Sequence, residues 1–161
     1  MSQYCIRKVT ENDVTDIVRI YNSNKKFLIN QLGQASINMN FIRQEMAEME
    51  AMGFLSCIII DTQTEASVGL IDYKPDDTVY LSLIMLDTRF QGNGIGAQAY
   101  HHFEEEMLLQ GRQSIRIDVV NDYIGNVVSF WEKQGFIAQN EIQLSWGSKK
   151  SNALVMVKTL V

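Results

Sequence analysis

Leu86-Asp87-Thr88-Arg89-Phe90-Gln91-Gly92-Asn93-Gly94-Ile95-Gly96 is the stretch whose reading decides the fold. It leaves an apolar run, turns through three glycines and enters a segment of helical periodicity. Ile95, Ala99, Phe103 and Met107 recur there on one stripe, Glu104, Glu105 and Glu106 lie largely outside it, and Gly111 closes the helix. Glycines let a backbone approach a ligand without Cβ obstruction, and the first helical turn offers amides that have no partner within the helix. A strand, a glycine turn and a helix start in this order form a cradle for a pyrophosphate. Hydrogen bonds to a charged group contribute about 1.5–3 kcal/mol each, so several converging amides hold such an anion without an obligatory lysine.

Working outward, Val79 to Leu86 is apolar on both alternations except at Ser82, as expected of a central strand covered on both faces. Phe54 to Ile60 and Val68 to Tyr73 precede it across the short turns Asp61–Thr64 and Lys74–Asp77, giving an antiparallel meander. Toward the N-terminus, Tyr4 to Val9 reads as a strand and Thr10 to Asp13 as a capping box opening a helix with Val14, Ile17, Val18 and Tyr21 inward. Asn22 to Ala35 reads as a loop or broken turn. Ser36 or Asn38 then caps a second helix that Gly53 stops. Beyond the central helix, Ser114 to Val120 is a strand and Asp122 to Gln134 a helix. Phe136 to Trp146 and Ala153 to Leu160 form a hairpin across Gly147–Lys150. The sum is one α/β domain over residues 1–161, of α+β type, with a mixed, mostly antiparallel sheet and one strand-helix-strand crossover.

Composition excludes several classes. The 14 Lys plus Arg against 19 Asp plus Glu give a net charge of −5, which argues against nucleic-acid binding and leans toward a cationic small substrate. No window is long and apolar enough for a membrane span, and the first residues lack the apolar core of a secretory signal, so a cytoplasmic protein is expected. Cys5 and Cys57, each in an apolar or β-branched run, read as reduced thiols. His101 and His102 are adjacent on a helix without ligand spacing, so no metal is expected.

Gln91-Gly92-Asn93-Gly94-Ile95-Gly96 resembles the acetyl-CoA loop of the GNAT N-acetyltransferase superfamily, Gln/Arg-x-x-Gly-x-Gly/Ala, at every fixed position. Phe130-Trp131-Glu132-Lys133-Gln134-Gly135-Phe136 resembles its aromatic-x-Lys-x-Gly-Phe ending, and the order of elements agrees. The resemblance implies a sheet of about six or seven strands flanked by about four helices and splayed beside Leu86. It implies acetyl-CoA as cosubstrate, with Gln91 and the amides of Gly92, Asn93, Gly94, Ile95, Gly96 and Ala97 at the pyrophosphate. The backbone of Ile84, Met85 and Leu86 would pair with pantetheine, and an amide near Leu86 would polarise the thioester carbonyl.

The acceptor implied is an amine on a small molecule or peptide, which attacks directly in a ternary complex. Tyr21, Phe27 and Leu32 would line its pocket, and family members often pair as homodimers. Trp131 stands where many members carry a tyrosine acid and has no acidic hydroxyl, so it is left as coenzyme wall and Tyr123 as the candidate acid. The family's coenzyme-contacting asparagine falls on Ile124, with Asn126 or Asn121 in its place. Asp118, charged within a β-branched run, is the candidate base, or an aspartate paired with Arg116.

Two alternatives stay open. Gly94-Ile95-Gly96-Ala97-Gln98-Ala99 also satisfies a dinucleotide fingerprint, with Asp118 downstream. That fingerprint belongs to alternating parallel βαβ units, whereas this loop follows an antiparallel meander. The absence of the tyrosine also allows a catalytically silent acyl-CoA sensor.

Overall fold

The computed structural model describes residues 3–122, 126–146 and 149–160. Seven strands form one sheet in the order β1-β2-β3-β4-β5-β7-β6. β1 (Tyr4–Lys8), β2 (Leu55–Asp61), β3 (Ser67–Lys74) and β4 (Val79–Leu86) run as an antiparallel meander. β4 meets β5 (Ser114–Val120) in parallel, and β7 (Lys149–Thr159) inserts antiparallel between β5 and β6 (Ile137–Trp146). A Rossmann half needs alternating parallel strands. One parallel pair does not supply them, so the dinucleotide reading falls.

The first helix arises as its sequence demands. The Thr10 side chain and the Asp13 carboxylate exchange backbone hydrogen bonds in a capping box, Asp13 also receives both guanidinium nitrogens of Arg7 at 2.8 Å, and α1 (Val14–Ser23) follows. Asn22–Ala35 departs from the expected loop. It coils into a helical turn, α2 (Lys25–Phe27), and a π-turn, Leu28–Leu32, ended by Gly33 at φ 67°. Burial of Leu28 and the Asn22 side chain's pair of hydrogen bonds with Ile37 hold these turns, and neither leaves a periodic signature in so short a stretch. Asn38 caps α3 (Met39–Ala51) by accepting from the Phe41 amide at 2.9 Å. Gly53, at φ 88°, donates to Glu50 while Phe54 donates to Met49, a Schellman end.

α4 (Ile95–Leu109) buries the expected stripe plus Tyr100, but Glu104 is not solvated. It accepts from the Tyr100 hydroxyl at 3.0 Å and pairs with Lys158 of β7, which turns that side of the helix toward the sheet. The helix expected over Asp122–Gln134 is described only as α5 (Val128–Lys133). The Asn126 side chain accepts from the Val128 amide at its start. β7 also begins earlier than the sequence suggests.

Two cores cover opposite faces of the sheet. Ile59, Ile71, Leu81, Phe103, Ile117, Trp131 and Met156 pack on the α4–α5 face, and Ile17, Ile20, Leu28, Ile42, Ile58, Leu70 and Met85 on the α1–α3 face. Among the described residues, no helix is long and apolar enough to cross a membrane.

Candidate active site

β4 and β5 pair at Val79↔Ile115 and Tyr80↔Arg116 and then part. A bulge lies at the parting. Tyr73 faces Leu81 and Asp72 faces Leu83, so Ser82 is the extra residue, its hydroxyl donating to the Asp72 carbonyl at 3.1 Å. A bulge bends its strand and shifts the alternation of side chains. Val79 and Leu81 therefore share the α4 face with Ile84 and Leu86, while Leu83 and Met85 turn to α1–α3.

The gap beyond is a cleft of about 1270 Å³ that reaches both faces of the sheet. Leu83, Ile84, Met85 and Leu86 line one side, Ile117, Asp118, Val119 and Val120 the other. Gln91, Gly92, Gly94, Ile95, Gly96, Ala97, Phe130 and Trp131 close one end, and Tyr21, Phe27, Leu32, Phe41, Glu45 and Asp72 the other. The residues singled out in the sequence thus line one cleft, apart from Asn93, exposed beside it, Asn121, which donates to Glu141, and Asn126, engaged at the start of α5. Tyr123 and Ile124 lie outside the described residues.

The glycine cradle has the required form. Gly92 and Gly94 sit at φ 82° and 75°, where an L-residue is strained, and a Cβ on either would enter open space. Gly96 differs, because a Cβ there would touch Leu86 Cδ1 at 3.6 Å and Phe130 Cζ at 3.9 Å. α4 starts on Gly94 with no side-chain cap, and its first internal bond runs from the Gln98 amide to Gly94 at 3.1 Å. The amides of Ile95, Gly96 and Ala97 therefore precede the helical ladder, beside the open space that a Cβ at Gly92 or Gly94 would enter.

Strand geometry sorts the β4 backbone. The Asp87 amide donates to Val68 at 2.9 Å, which makes Leu86 and Gly69 a non-hydrogen-bonded pair and turns the N–H and C=O of Leu86 toward the gap. By alternation Ile84 does the same, and Met85 spends its own backbone groups on β3. Gly69 is obligatory here, since a Cβ would lie 2.5 Å from the Met85 carbonyl. The Leu86 carbonyl accepts from Asn24 Nδ2 at 2.9 Å, and Gln91 Nε2 reaches Asn24 Oδ1 at 3.1 Å. Asn24 escaped the sequence reading because nothing local marks an asparagine that bridges a helix end to a distant strand.

Asp87 fixes the loop's root. Buried to 1% exposure, it pairs with Arg19 of α1 and with Arg89 at 3.0 Å, and it accepts from the Arg89 amide at 3.0 Å. Burial works to raise its carboxyl, yet the Arg89 bonds and the Arg89 and Arg19 charges outweigh that and hold it below the ordinary range.

The carboxylates of the acceptor end differ in company. Asp118 is engaged at both oxygens, by Arg116 at 2.9 and 3.1 Å and by the Tyr80 hydroxyl at 3.1 Å, and burial with the Asp118 charge pushes Tyr80 up to about 12. Asp72 is paired with no Arg or Lys among the described residues. Burial, with Glu45 adding to it against a Ser56 hydrogen bond, pushes Asp72 up to about 6. Trp131 is buried in an aromatic cluster with Tyr100, Phe130 and Phe136, at ring centroids of 5.3, 4.9 and 5.3 Å. Neither cysteine lines the cleft, and burial pushes the Cys57 thiol up to about 11.

A sheet parted beside a glycine-opened helix defines a class, the acyl-CoA-dependent acyltransferases. The model of the acetyltransferase (GNAT) domain matches residues 22–154. This chain belongs to the GNAT acetyltransferases and is an acetyl-CoA-dependent N-acetyltransferase. No curated protein matches it in sequence.

Solved structures share the fold at low identity. An acetyltransferase from Thermus thermophilus aligns with TM-score 0.75 and 18% identity over 99% of this chain and 97% of that one. The acetyl transferase of Salmonella typhimurium that modifies the N-terminal serine of ribosomal protein L7/L12 gives 0.80 and 15%, over 99% and 96%. The spermidine N-acetyltransferase of Vibrio cholerae, solved with CoA and spermine, gives 0.77 and 13%, over 98% and 96%.

Proposed function

We propose that this chain moves the acetyl group of acetyl-CoA to a primary amine by direct attack in a ternary complex, without an acyl-enzyme. The observation that carries this reading is the gap between β4 and β5, which joins the two faces of the sheet at the backbone of Leu86. Acetyl-CoA, as substrate, enters from the α4 face, its diphosphate at the amides of Gly92 and of Ile95 to Ala97. Its pantetheine lies along the gap-facing backbone of Ile84 and Leu86, with Phe130 and Trp131 as the opposite wall.

The acceptor enters from the α1–α3 face past Tyr21, Phe27 and Leu32. Attack converts the thioester carbonyl oxygen to an oxyanion, and the Leu86 amide, aimed into the gap, is the donor placed to hold it. The absence of both cysteines from the cleft wall favours direct transfer over a thiol relay. Asn24 and Gln91 hold the Leu86 peptide and the loop together, and Asp118 braces Tyr80 and Arg116 at the cleft floor.

Calorimetric titration with acetyl-CoA and with NAD tests the reading. Heat with acetyl-CoA alone is expected, followed by acetylation of amines with thiol release and no acetylated protein on mass spectrometry. An acetyl adduct that turns over on the chain itself would overturn direct attack.

A further inference from the structure

Four carboxylates touch the cleft: Glu45, Asp72, Asp118 and Asp122. Asp118 is held at both oxygens by Arg116 and Tyr80, and Asp122 accepts from the Asn152 amide at 2.8 Å. Glu45 of α3 lines the cleft half-buried, and burial raises its carboxyl. Asp72 occupies β3 opposite the bulge, where the gap begins, and by strand alternation it faces α1–α3 like Leu70 two residues earlier. The titratable and polar groups facing it are the Tyr21 hydroxyl of α1, Glu45 of α3 and Ser56 of β2, its cross-strand partner, while Cys57 turns to the opposite face. None of these is a cation. The rest of this arm is mixed: Phe27, Leu32 and Phe41 stand beside Asn24, Lys26, Asn30 and Gln31, with Lys26 and Asn30 exposed at its rim and Tyr21 edge-on to Phe27 at 6.0 Å.

We propose that Asp72 is the group that takes the proton from the incoming acceptor, and that the acceptor is a primary ammonium on an apolar aliphatic or arylalkyl stem. This rests on the acetyl-transfer reading above. An ammonium supplies the positive charge that Glu45 and Asp72, which form no ion pair among the described residues, would hold beneath the exposed Lys26, and the Tyr21, Phe27 and Phe41 side chains cover a hydrocarbon stem. A peptide N-terminus or an amino sugar would have to place its amides or hydroxyls against Tyr21, Phe27 and Phe41 next to Asp72, where only the rim residues Lys26, Asn30 and Gln31 offer partners.

In this step R–NH3+ gives one proton to the Asp72 carboxylate, and the freed nitrogen lone pair forms the C–N bond at the thioester carbonyl carbon. The C–S bond breaks with its electron pair on sulfur. The second nitrogen proton passes to the thiolate, giving R–NH–CO–CH3 and free CoA thiol, and Asp72 returns its proton to water. The upward-shifted Asp72 suits this task, because a base titrating near 6 is ionised at neutral pH yet retains affinity for a proton.

The test uses the full chain with n-hexylamine, glucosamine and a short serine-initiated peptide as acceptors, alongside Asp72→Asn. Expected is the highest kcat/KM for hexylamine, falling as pH drops below about 6. In Asp72→Asn that acid limb disappears and kcat falls by about 100-fold or more. Calorimetry should give the same acetyl-CoA affinity in both proteins, which also establishes that the variant is folded. The base assignment is overturned by an Asp72→Asn enzyme that keeps wild-type rate and acid limb. The acceptor class is overturned if glucosamine or the peptide is preferred, or if none of the three is acetylated although acetyl-CoA binds. Failure of the wild-type protein to bind acetyl-CoA would instead remove the acetyl-transfer reading beneath both.

Discussion

Two alanines placed two residues apart test the cradle. Gly94→Ala puts a Cβ on a residue at φ 75°, a left-handed conformation that costs a non-glycine residue roughly 1–2 kcal/mol. For a chain of this size that lowers Tm by about 2–8 °C. The same Cβ meets no protein atom within 4 Å and stands in the open space assigned above to the diphosphate. If it displaces the diphosphate from two amides at about 1.5–3 kcal/mol each, acetyl-CoA affinity falls on the order of 10²- to 10⁴-fold. Gly96→Ala is the control. Its Cβ makes ordinary contact with the Leu86 and Phe130 side chains instead of entering open space, and alanine is favoured over glycine inside a helix by about 1 kcal/mol. That variant should melt higher and bind acetyl-CoA within about tenfold of wild type. Isothermal titration and thermal melts of the three proteins read both effects. Equal losses of affinity in the two variants, or none in Gly94→Ala, would refute a diphosphate held by the first-turn amides.

The same geometry sets three further outcomes. Asp87→Ala leaves Arg19 and Arg89 without their shared buried partner, but both arginines reach solvent, so the loss should be about 1 kcal/mol and come from the Arg19 pair. Because the folded-state carboxyl titrates lower than in the unfolded chain, that stability is present at neutral pH. It is lost as pH falls below the ordinary carboxyl range, so melts of wild type and variant should converge on acidification. Asn24→Ala removes the Leu86 and Gln91 contacts at once, and steady-state kinetics should show kcat falling more than KM rises, by about tenfold. Asp72→Asn should behave oppositely to Asp87→Ala. The folded protein holds that proton more tightly than the unfolded chain, so wild-type stability falls as pH rises from about 4 through about 6. The variant should therefore be the more stable at pH 7.5, by at most about 3 kcal/mol, and match wild type at pH 4. Equal melting temperatures for variant and wild type at both pH values would contradict a raised Asp72.

The elements with strong local causes were legible in the sequence. Thr10 and Asp13 announce a helix start through their spacing, Asn38 and Gly53 bracket α3, and three glycines between a strand and a helix have few uses besides a cradle. What depends on distant partners was not. Ile71-Asp72-Tyr73 and Ile117-Asp118-Val119 look alike, and each aspartate has a basic residue two positions away on its own strand face, Lys74 and Arg116. Arg116 turns to Asp118, whereas Lys74 lies 3.9 Å from Asp76 and over the Phe54 ring at 5.9 Å, which leaves Asp72 to the cleft. No rule of spacing decides between those two rotamers. The turns of residues 25–32 were missed for a related reason. One buried leucine and one asparagine bridging to Ile37 hold them, and neither writes a period into the chain.

The bulge at Ser82 links these observations. It ends the β4–β5 ladder after two residue pairs, and it reverses the alternation so that Leu86 faces α4 while its amide faces the gap. It also places Asp72, through its carbonyl bond to Ser82, at the mouth of that gap on the opposite face. One inserted residue thus accounts for the opening, the aim of the Leu86 amide proposed to hold the oxyanion and the position of the carboxylate proposed as base. A well-packed protein would gain by pairing or neutralising Asp72, and functional sites are where such a cost is retained. Removing the carboxylate should therefore raise stability and abolish turnover together, a combination that a merely structural aspartate does not produce.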